Sequence, residues 1–167
     1  EDIIIPNLVV QKELYKILFV GCDWYTKPYK KYFRTKEYWT IEIDKSKKKY
    51  GSKRHIVDTL QNLGKHIEDE YFDLIVCNEV FGWGINNKYD TEAAIKQCYN
   101  CLRTNGILVL GWNDVSTYRP YFATGKCENL SKFTPYLFST LATTQYLTQD
   151  SLTNHTYSFY IKHSGNG

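Results

Sequence analysis

The chain has 167 residues and a mass of 19.7 kDa, a length at which a single domain buries a full hydrophobic core. Hydrophobic residues make up 43% of it and charged residues 23%, which excludes a wholly disordered protein. The net charge of +3 is too small to indicate a nucleic-acid partner. We therefore expect one domain over residues 1–167, with its core between about residues 15 and 162.

The sequence predicts a cytoplasmic protein without a disulfide framework or a metal site. No apolar run approaches the roughly 20 residues of a membrane-spanning helix, and residues 1–6 lack the features of a secretory signal peptide. The five cysteines are an odd number, which disfavours a disulfide framework. Cys98 and Cys101 have the C-x-x-C spacing of zinc and redox sites. Because no second pair or neighbouring histidine accompanies them, we expect both to pack inside a helix.

Short apolar runs alternate with polar or amphipathic segments through the first half of the chain. Residues 16–21 predict a strand buried on both faces, and residues 38–43 predict a second strand rich in β-branched and aromatic side chains. A helical turn is expected after each strand, first from Thr26 onwards and then over the lysine-rich segment that Gly51 closes. A short third strand at residues 55–57 precedes leucines at helical spacing.

The same alternation continues into the second half. The pattern predicts a strand at residues 72–78, a helix that begins at Asp90 or Thr91 and ends before Gly106, and a strand at residues 107–112. Strands that alternate with helices are joined by right-handed crossovers. The sheet is therefore expected to be mostly parallel, with helices on both faces.

The last quarter of the chain departs from this rhythm. A short helix is expected to begin at Thr134, and two strands at residues 144–147 and 155–162 are expected to form an antiparallel hairpin. The predicted fold class is α/β: a three-layer sandwich around a mostly parallel, seven-stranded sheet with this hairpin at its C-terminal end.

Acidic and amide side chains follow several of the predicted strands. Glu42 and Asp44 end the second strand, Asp58 follows the third, and Asn78 and Glu79 follow the fourth. Ligands of open α/β sheets bind beyond the carboxyl ends of the strands. A carboxylate accepts two hydrogen bonds at once, which suits the two hydroxyls of a ribose. We therefore predict a nucleoside-binding cleft at this edge of the sheet.

Five segments, taken in order, resemble the class I, Rossmann-like S-adenosylmethionine-dependent methyltransferases. They read KILFVGC, YWTIEID, HIVD, FDLIVCNEVF and LRTNGILVLGW. The resemblance covers roughly residues 15–162 and includes the antiparallel strand that closes the sheet in that family. It implies a Rossmann-like fold, the cofactor S-adenosyl-L-methionine and transfer of its methyl group to an acceptor.

The resemblance also implies which residues contact the cofactor. Gly21 matches the first glycine of the family's cofactor loop, Glu42 matches the acid that binds the ribose, and Asp58 matches the acid near the adenine amino group. The loop reads GCDWYT, where the family commonly has G-x-G-x-G. Asp44 and Asp58 also suit helix caps, and Asn78 suits a turn. The remaining members of the predicted cofactor-binding set are Cys22, Asp23, Asp44, Thr59, Leu60, Asn78, Val80 and Phe81.

The acceptor is the least defined part of the prediction. Trp83, Trp112 and Tyr118 are expected to shape its pocket, and aromatic faces also stabilise a cationic sulfonium. No catalytic residue is assigned. Glu79 and His155 are candidate bases by position alone, and a carbon or nitrogen acceptor needs no base. We expect a small-molecule or sugar-containing acceptor and no membrane or nucleic-acid partner, and a homo-oligomer stays open.

Two alternatives remain beside this function. The altered glycine loop favours a relative that binds the cofactor or a nucleotide without turnover. The basic run from Lys45 to Arg54 favours an RNA-modifying methyltransferase, although a solvated helix face explains the same run. A nicotinamide dehydrogenase is disfavoured because the loop after the first strand lacks G-x-G-x-x-G.

Overall fold

The computed structural model describes residues 3–148 and 152–164, and all of its strands belong to one sheet. Within these residues the α-helices are α1 (Ile4–Val9), α2 (Tyr29–Tyr32) and α3 (Lys88–Cys101). The strands are β1 (Lys16–Val20), β2 (Glu37–Ile41), β3 (Arg54–Ile56), β4 (Phe72–Asn78), β5 (Leu102–Asn113), β6 (Thr134–Pro135), β7 (Gln145–Leu147) and β8 (His155–Ile161).

The sheet has the order β3-β2-β1-β4-β5-β8-β6, and β7 also pairs with β8. The first five strands of this order run parallel, and β8 is antiparallel to β5. The predicted Rossmann-like α/β fold and C-terminal hairpin are therefore confirmed. β1 and β4 lie in the middle, and burial on both faces explains why their sequences are continuous apolar runs.

The sheet has one strand more than predicted. Thr134 and Pro135, where the sequence predicted the start of a helix, instead pair with Ile161 and Tyr160 of β8. The backbone N–H of Tyr136 continues this pairing by donating to the carbonyl of Phe159 at 2.8 Å. Proline lacks an N–H donor, so it is tolerated at the edge of a sheet, and the helix prediction here was wrong.

The helical turn expected from Thr26 onwards is α2, and an additional 3-10 turn at Trp24–Thr26 precedes it. The turns expected after β2 and β3 are 3-10 turns, at Lys45–Tyr50 and Leu60–Lys65. The longest helix of the described residues, α3, begins two or three residues earlier than predicted. Its N-cap is Asn87, whose side chain accepts a hydrogen bond from the backbone N–H of Asp90 at 2.8 Å. These short connections place the loops after β1, β2 and β3 side by side.

Two hydrophobic cores cover the faces of the sheet. On one face α3 packs through Ile95 and Cys98, and on the other α1 and α2 pack through Leu8 and Tyr29. Cys98 is fully buried, and all five cysteines are free thiols in the interior of the described residues. In the part of the chain that the structure describes, no helix is long and apolar enough to cross a membrane.

Candidate active-site cleft

A cleft of about 370 Å³ opens at the carboxyl ends of β1, β2 and β4, a volume within the range of roughly 300–1,000 Å³ that small-molecule sites occupy. The chain runs outwards from β1 to β2 and β3, and then returns to place β4 on the other side of β1. This reversal of strand order is where ligands of such sheets bind. The predicted cofactor-binding residues that line the cleft are Gly21, Cys22, Asp23, Glu42, Asp58, Thr59, Leu60, Asn78 and Val80.

Gly21 turns the backbone from β1 into the cleft. Its φ is +88°, a conformation that L side chains rarely adopt, and its N–H donates to the carbonyl of Ile41 at 2.9 Å. A Cβ at this position would lie 3.7 Å from Cγ2 of Val80, an ordinary contact. The glycine is therefore required by backbone conformation rather than by lack of space.

Asp23 holds the rest of this loop. Its carboxylate accepts a hydrogen bond from the N–H of Trp24 at 2.7 Å. Its own N–H donates to Oγ1 of Thr26 at 3.0 Å, and Asp23 and Thr26 together form a capping box. Its other oxygen pairs with Nζ of Lys47 at 2.8 Å. The Lys47 ammonium, and then the Trp24 N–H, hold the pKa of Asp23 below its ordinary value.

The side chain of Glu42 forms hydrogen bonds with the backbone that follows β1 and β2. Its Oε2 accepts from the backbone N–H of Cys22 at 3.0 Å, and its Oε1 accepts from that of Asp44 at 2.9 Å. A carboxylate has about four acceptor positions, so two remain for a ligand. The side chain is half-buried and is held in place by the backbone on both sides.

Asp58 and Asp44 have different surroundings. Asp58 lines the cleft and accepts from the N–H of Thr59 and the amide of Asn62, and its other oxygen lies 2.8 Å from Nε2 of His66. The bond to His66 is the largest of the causes that lower the pKa of Asp58 to about 2. Asp44 is exposed, lies outside the lining and caps the next 3-10 turn through the N–H of Ser46.

Behind the cleft, polar side chains meet at the ends of β4, β5 and β8. Asn78 and Glu79 line the cleft, and Glu79 adopts a left-handed backbone conformation with φ +55°. The ring nitrogens of His155 lie 2.7 Å from Oδ1 of Asn113 and 3.0 Å from Oδ1 of Asn78. Of the two candidate bases, Glu79 therefore faces the cleft and His155 faces internal amides.

The predicted aromatic residues lie outside the cleft lining. Phe81, in the loop after β4, and Trp112, in β5, are buried, and both pack edge-on against Phe122 in the core on one face of the sheet. Trp83 is 51% exposed and stacks on Tyr118, with ring centroids 4.0 Å apart. Neither ring of this pair lines the cleft.

Tyr25 and Lys47 line the cleft without having been predicted to bind the cofactor. Tyr25 lies in the 3-10 turn Trp24–Thr26, and Lys47 lies in the 3-10 turn Lys45–Tyr50. Burial, and then the charge of Glu79, raise the pKa of the Tyr25 hydroxyl. The position of Tyr25 directly after the glycine loop was the signal available in the sequence.

Comparison with protein families matches residues 18–110 to a model described as a methyltransferase domain. Among curated proteins, a 64-residue segment is 38% identical to an uncharacterized methyltransferase of Schizosaccharomyces pombe. The segment represents 38% of this chain and spans 23% of that protein's length.

Solved structures share the fold at low sequence identity. The N-methyltransferase NodS of Bradyrhizobium japonicum aligns with a TM-score of 0.67 and 14% identity, over 90% of this chain and 87% of its own. A TehB-like SAM-dependent methyltransferase of Corynebacterium glutamicum aligns with a TM-score of 0.69 and 16% identity, over 97% and 89% of the two chains. NodS in complex with S-adenosyl-l-homocysteine aligns with a TM-score of 0.65 and 16% identity, over 90% and 79%.

Proposed function

The chain belongs to the methyltransferase-domain family, and from that premise we propose that its cleft binds S-adenosyl-L-methionine and that it methylates a small-molecule acceptor. The observation that carries the proposal is the meeting of Gly21, Glu42 and Asp58 in one cleft at the point where strand order reverses. The resemblance to class I methyltransferases implies that these three residues contact three different parts of one nucleoside cofactor.

The residues present fit that cofactor. Glu42 keeps two acceptor positions for the ribose hydroxyls after its bonds to Cys22 and Asp44. The loop after Gly21 would hold the methionine end, and Thr59 and Leu60 would flank the adenine beside Asp58. Ile43, an exposed apolar residue of the lining, would cover the other side of the base.

When bound, S-adenosylmethionine supplies a methyl group on a positively charged sulfur, which is electrophilic without further activation. The protein's contribution is then to orient the acceptor and to exclude water. Glu79 and Tyr25 lie together at the cleft wall. The Glu79 carboxylate would attract a cationic group and hold an acceptor N–H or O–H, while the Tyr25 ring would contact the acceptor.

The charge of the lining favours a small acceptor over RNA. Among the described residues, the cleft is lined by four carboxylates (those of Asp23, Glu42, Asp58 and Glu79) and by one lysine. That lysine, Lys47, is already paired with Asp23. An RNA backbone is repelled by carboxylates and needs basic partners, so we propose a small or sugar-containing metabolite as acceptor.

Isothermal titration with S-adenosylmethionine and with S-adenosylhomocysteine tests the proposal. We expect micromolar binding of both to the wild-type protein and to Glu68→Ala, which removes an exposed acid outside the lining. Glu42→Ala should weaken binding about tenfold or more, since it removes charged hydrogen-bond acceptors. Absence of binding of either ligand to the wild-type protein would refute cofactor binding. Binding without release of labelled methyl to any acceptor in a metabolite screen would favour the non-catalytic alternative.

A further inference from the structure

A chain of hydrogen bonds runs from Asn113 through His155 to Asn78. Nδ1 of His155 lies 2.7 Å from Oδ1 of Asn113, and Nε2 lies 3.0 Å from Oδ1 of Asn78. The three residues stand at the ends of β5, β8 and β4, and only 12% of the His155 side chain is exposed. Both ring nitrogens therefore face amide groups of the protein.

The orientation of Asn113 fixes the role of Nδ1. The amide nitrogen of Asn113 lies 3.5 Å from Oε1 of Glu79, and an ionised carboxylate is an acceptor only. In this orientation the carbonyl oxygen of Asn113 faces His155 and accepts a hydrogen bond from Nδ1, which then carries the hydrogen. This leaves Nε2 as the nitrogen whose protonation can change.

Each protonation state of Nε2 requires a different orientation of Asn78. A protonated Nε2 donates to the amide oxygen, so that the NH₂ group is left for the cleft that Asn78 lines. A neutral Nε2 accepts from the NH₂ group, so that the amide oxygen is left for the cleft. Rotation of the amide by half a turn interconverts the two.

Gly111 provides the space for this amide. A Cβ at position 111 would lie 2.1 Å from Oδ1 of Asn78 and 2.9 Å from Cε1 of Tyr157. Any other residue would therefore displace Asn78 from His155. The amide's oxygen and NH₂ group are similar in size, so the same space accommodates either orientation.

We propose that His155 is a positioning residue, and that the protonation of its Nε2 sets which end of the Asn78 amide is offered to a ligand in the cleft. With His155 neutral, the offered oxygen accepts from an ammonium or amine N–H. With His155 protonated, the offered NH₂ donates to a carboxylate or carbonyl oxygen. The identity of that ligand as cofactor or acceptor rests on the proposed function, whereas the coupling of the two side chains does not.

Among the described residues, charged and titratable groups lie at the strand ends next to His155. Glu79, after β4, has Oε1 4.0 Å from Nδ1 and favours the imidazolium. The Tyr157 ring of β8 packs edge-on against the imidazole at 4.9 Å. After β5, Asp114 is paired with Arg119 at 3.3 Å. Burial of the ring opposes the charge, whereas the Glu79 carboxylate favours it.

Nuclear magnetic resonance of the 167-residue chain without ligand tests the coupling. The side-chain amide signals of Asn78 and the ring nitrogens of His155 are followed between about pH 5 and 9, a range that brackets the ordinary histidine pKa, with the exposed His163 as internal reference. We expect the Asn78 amide signals to move with the same midpoint as Nε2 of His155, while Nδ1 stays protonated throughout. Asn78 signals that do not respond while His155 titrates would overturn the proposal.

Two variants separate the proposal from a structural role. In His155→Gln the Asn78 amide should lose its pH response, and in Asn78→Asp the carboxylate should raise the pKa of His155 by about one unit or more. An unchanged pKa in Asn78→Asp, or a persisting Asn78 response in His155→Gln, would contradict the coupling. Titration with S-adenosylhomocysteine at both pH limits then tests whether the cofactor site is the one affected. If S-adenosylhomocysteine binds at neither pH, the proposed function fails, whereas the coupling of His155 and Asn78 is judged by the nuclear magnetic resonance titration alone.

Discussion

The carboxylate of Glu42 accepts a hydrogen bond from the backbone N–H of Cys22 at 3.0 Å, so a side chain at the end of β2 fixes the loop that leaves β1. The same carboxylate accepts from the N–H of Asp44 at 2.9 Å. A residue expected to bind a ribose therefore also shapes the loop expected to bind the methionine end. Substitutions at this position are expected to affect both the loop and the ligand.

We predict that Glu42→Gln and Glu42→Ala differ. Glutamine keeps one acceptor oxygen, whereas alanine leaves the N–H of the buried Cys22 without an acceptor, and an unsatisfied buried donor costs about 1–3 kcal/mol. Chemical denaturation should show Glu42→Ala to be less stable than Glu42→Gln by about 1 kcal/mol, and S-adenosylhomocysteine should bind Glu42→Gln more tightly. Equal stability and equal affinity of the two variants would contradict both roles of Glu42.

The pair Asp58 and His66 predicts a pH-dependent contribution to stability. The folded pKa of Asp58 is about 2, below its ordinary value of 3.8, and the bond to His66 is the largest of the causes that lower it. A lowered carboxyl pKa stabilises the fold above the ordinary value, and this contribution is lost as pH falls towards the folded value. His66→Gln should therefore be less stable than the wild-type protein at pH 5, and the difference should close towards pH 2.

Urea denaturation at a series of pH values measures this difference, with His163→Gln as control because His163 is exposed. The control should track the wild-type protein over the whole range. A stability difference for His66→Gln that stays constant from pH 5 to pH 2 would show that the Asp58–His66 bond is not its source.

The strands were predictable because burial on both faces leaves an unambiguous pattern. Ile17, Leu18 and Phe19 are all buried, so β1 is a continuous apolar run. The residues that end such strands were predictable by the same reasoning, because parallel strands bring their carboxyl ends to one edge. Glu42 and Asn78 illustrate this, since they are far apart in sequence and line one cleft.

The side chains that meet from distant parts of the chain were not predictable. His155 contacts Asn78 across 77 positions of sequence, and no local pattern encodes the register between β5 and β8 that brings them together. Trp112 was expected at the substrate pocket because of its aromatic face, but its Nε1 donates to Oγ of Ser158 at 3.1 Å in the interior. Thr134 and Pro135 are equally typical of a helix start, and only pairing with β8 makes them a strand.

Loss of the stacked pair of Trp83 and Tyr118 is expected to lower the stability of the protein without changing its affinity for the cofactor. Because both rings lie outside the cleft lining, Trp83→Ala should leave the affinity for S-adenosylhomocysteine within about twofold of the wild-type value. Loss of the stack should lower the free energy of unfolding by about 0.5–1.5 kcal/mol. Trp83→Phe, which keeps an aromatic face, is the matched control and should recover most of this loss. A large fall in affinity for the alanine variant alone would show that the pair reaches the cofactor.

Gly111 predicts a difference between two glycine substitutions near the cleft. In Gly111→Ala the new methyl group would lie 2.1 Å from Oδ1 of Asn78, whereas in Gly84→Ala its nearest neighbour would be 3.8 Å away. Overpacking of a buried site costs about 1–3 kcal/mol, so thermal denaturation should show a clear loss of stability for Gly111→Ala and little change for Gly84→Ala. Displacement of Asn78 should also remove the pH response of its amide signals, because the bond to His155 is broken. If Gly111→Ala is as stable as Gly84→Ala and keeps that pH response, the Asn78 amide does not occupy the space that the glycine leaves.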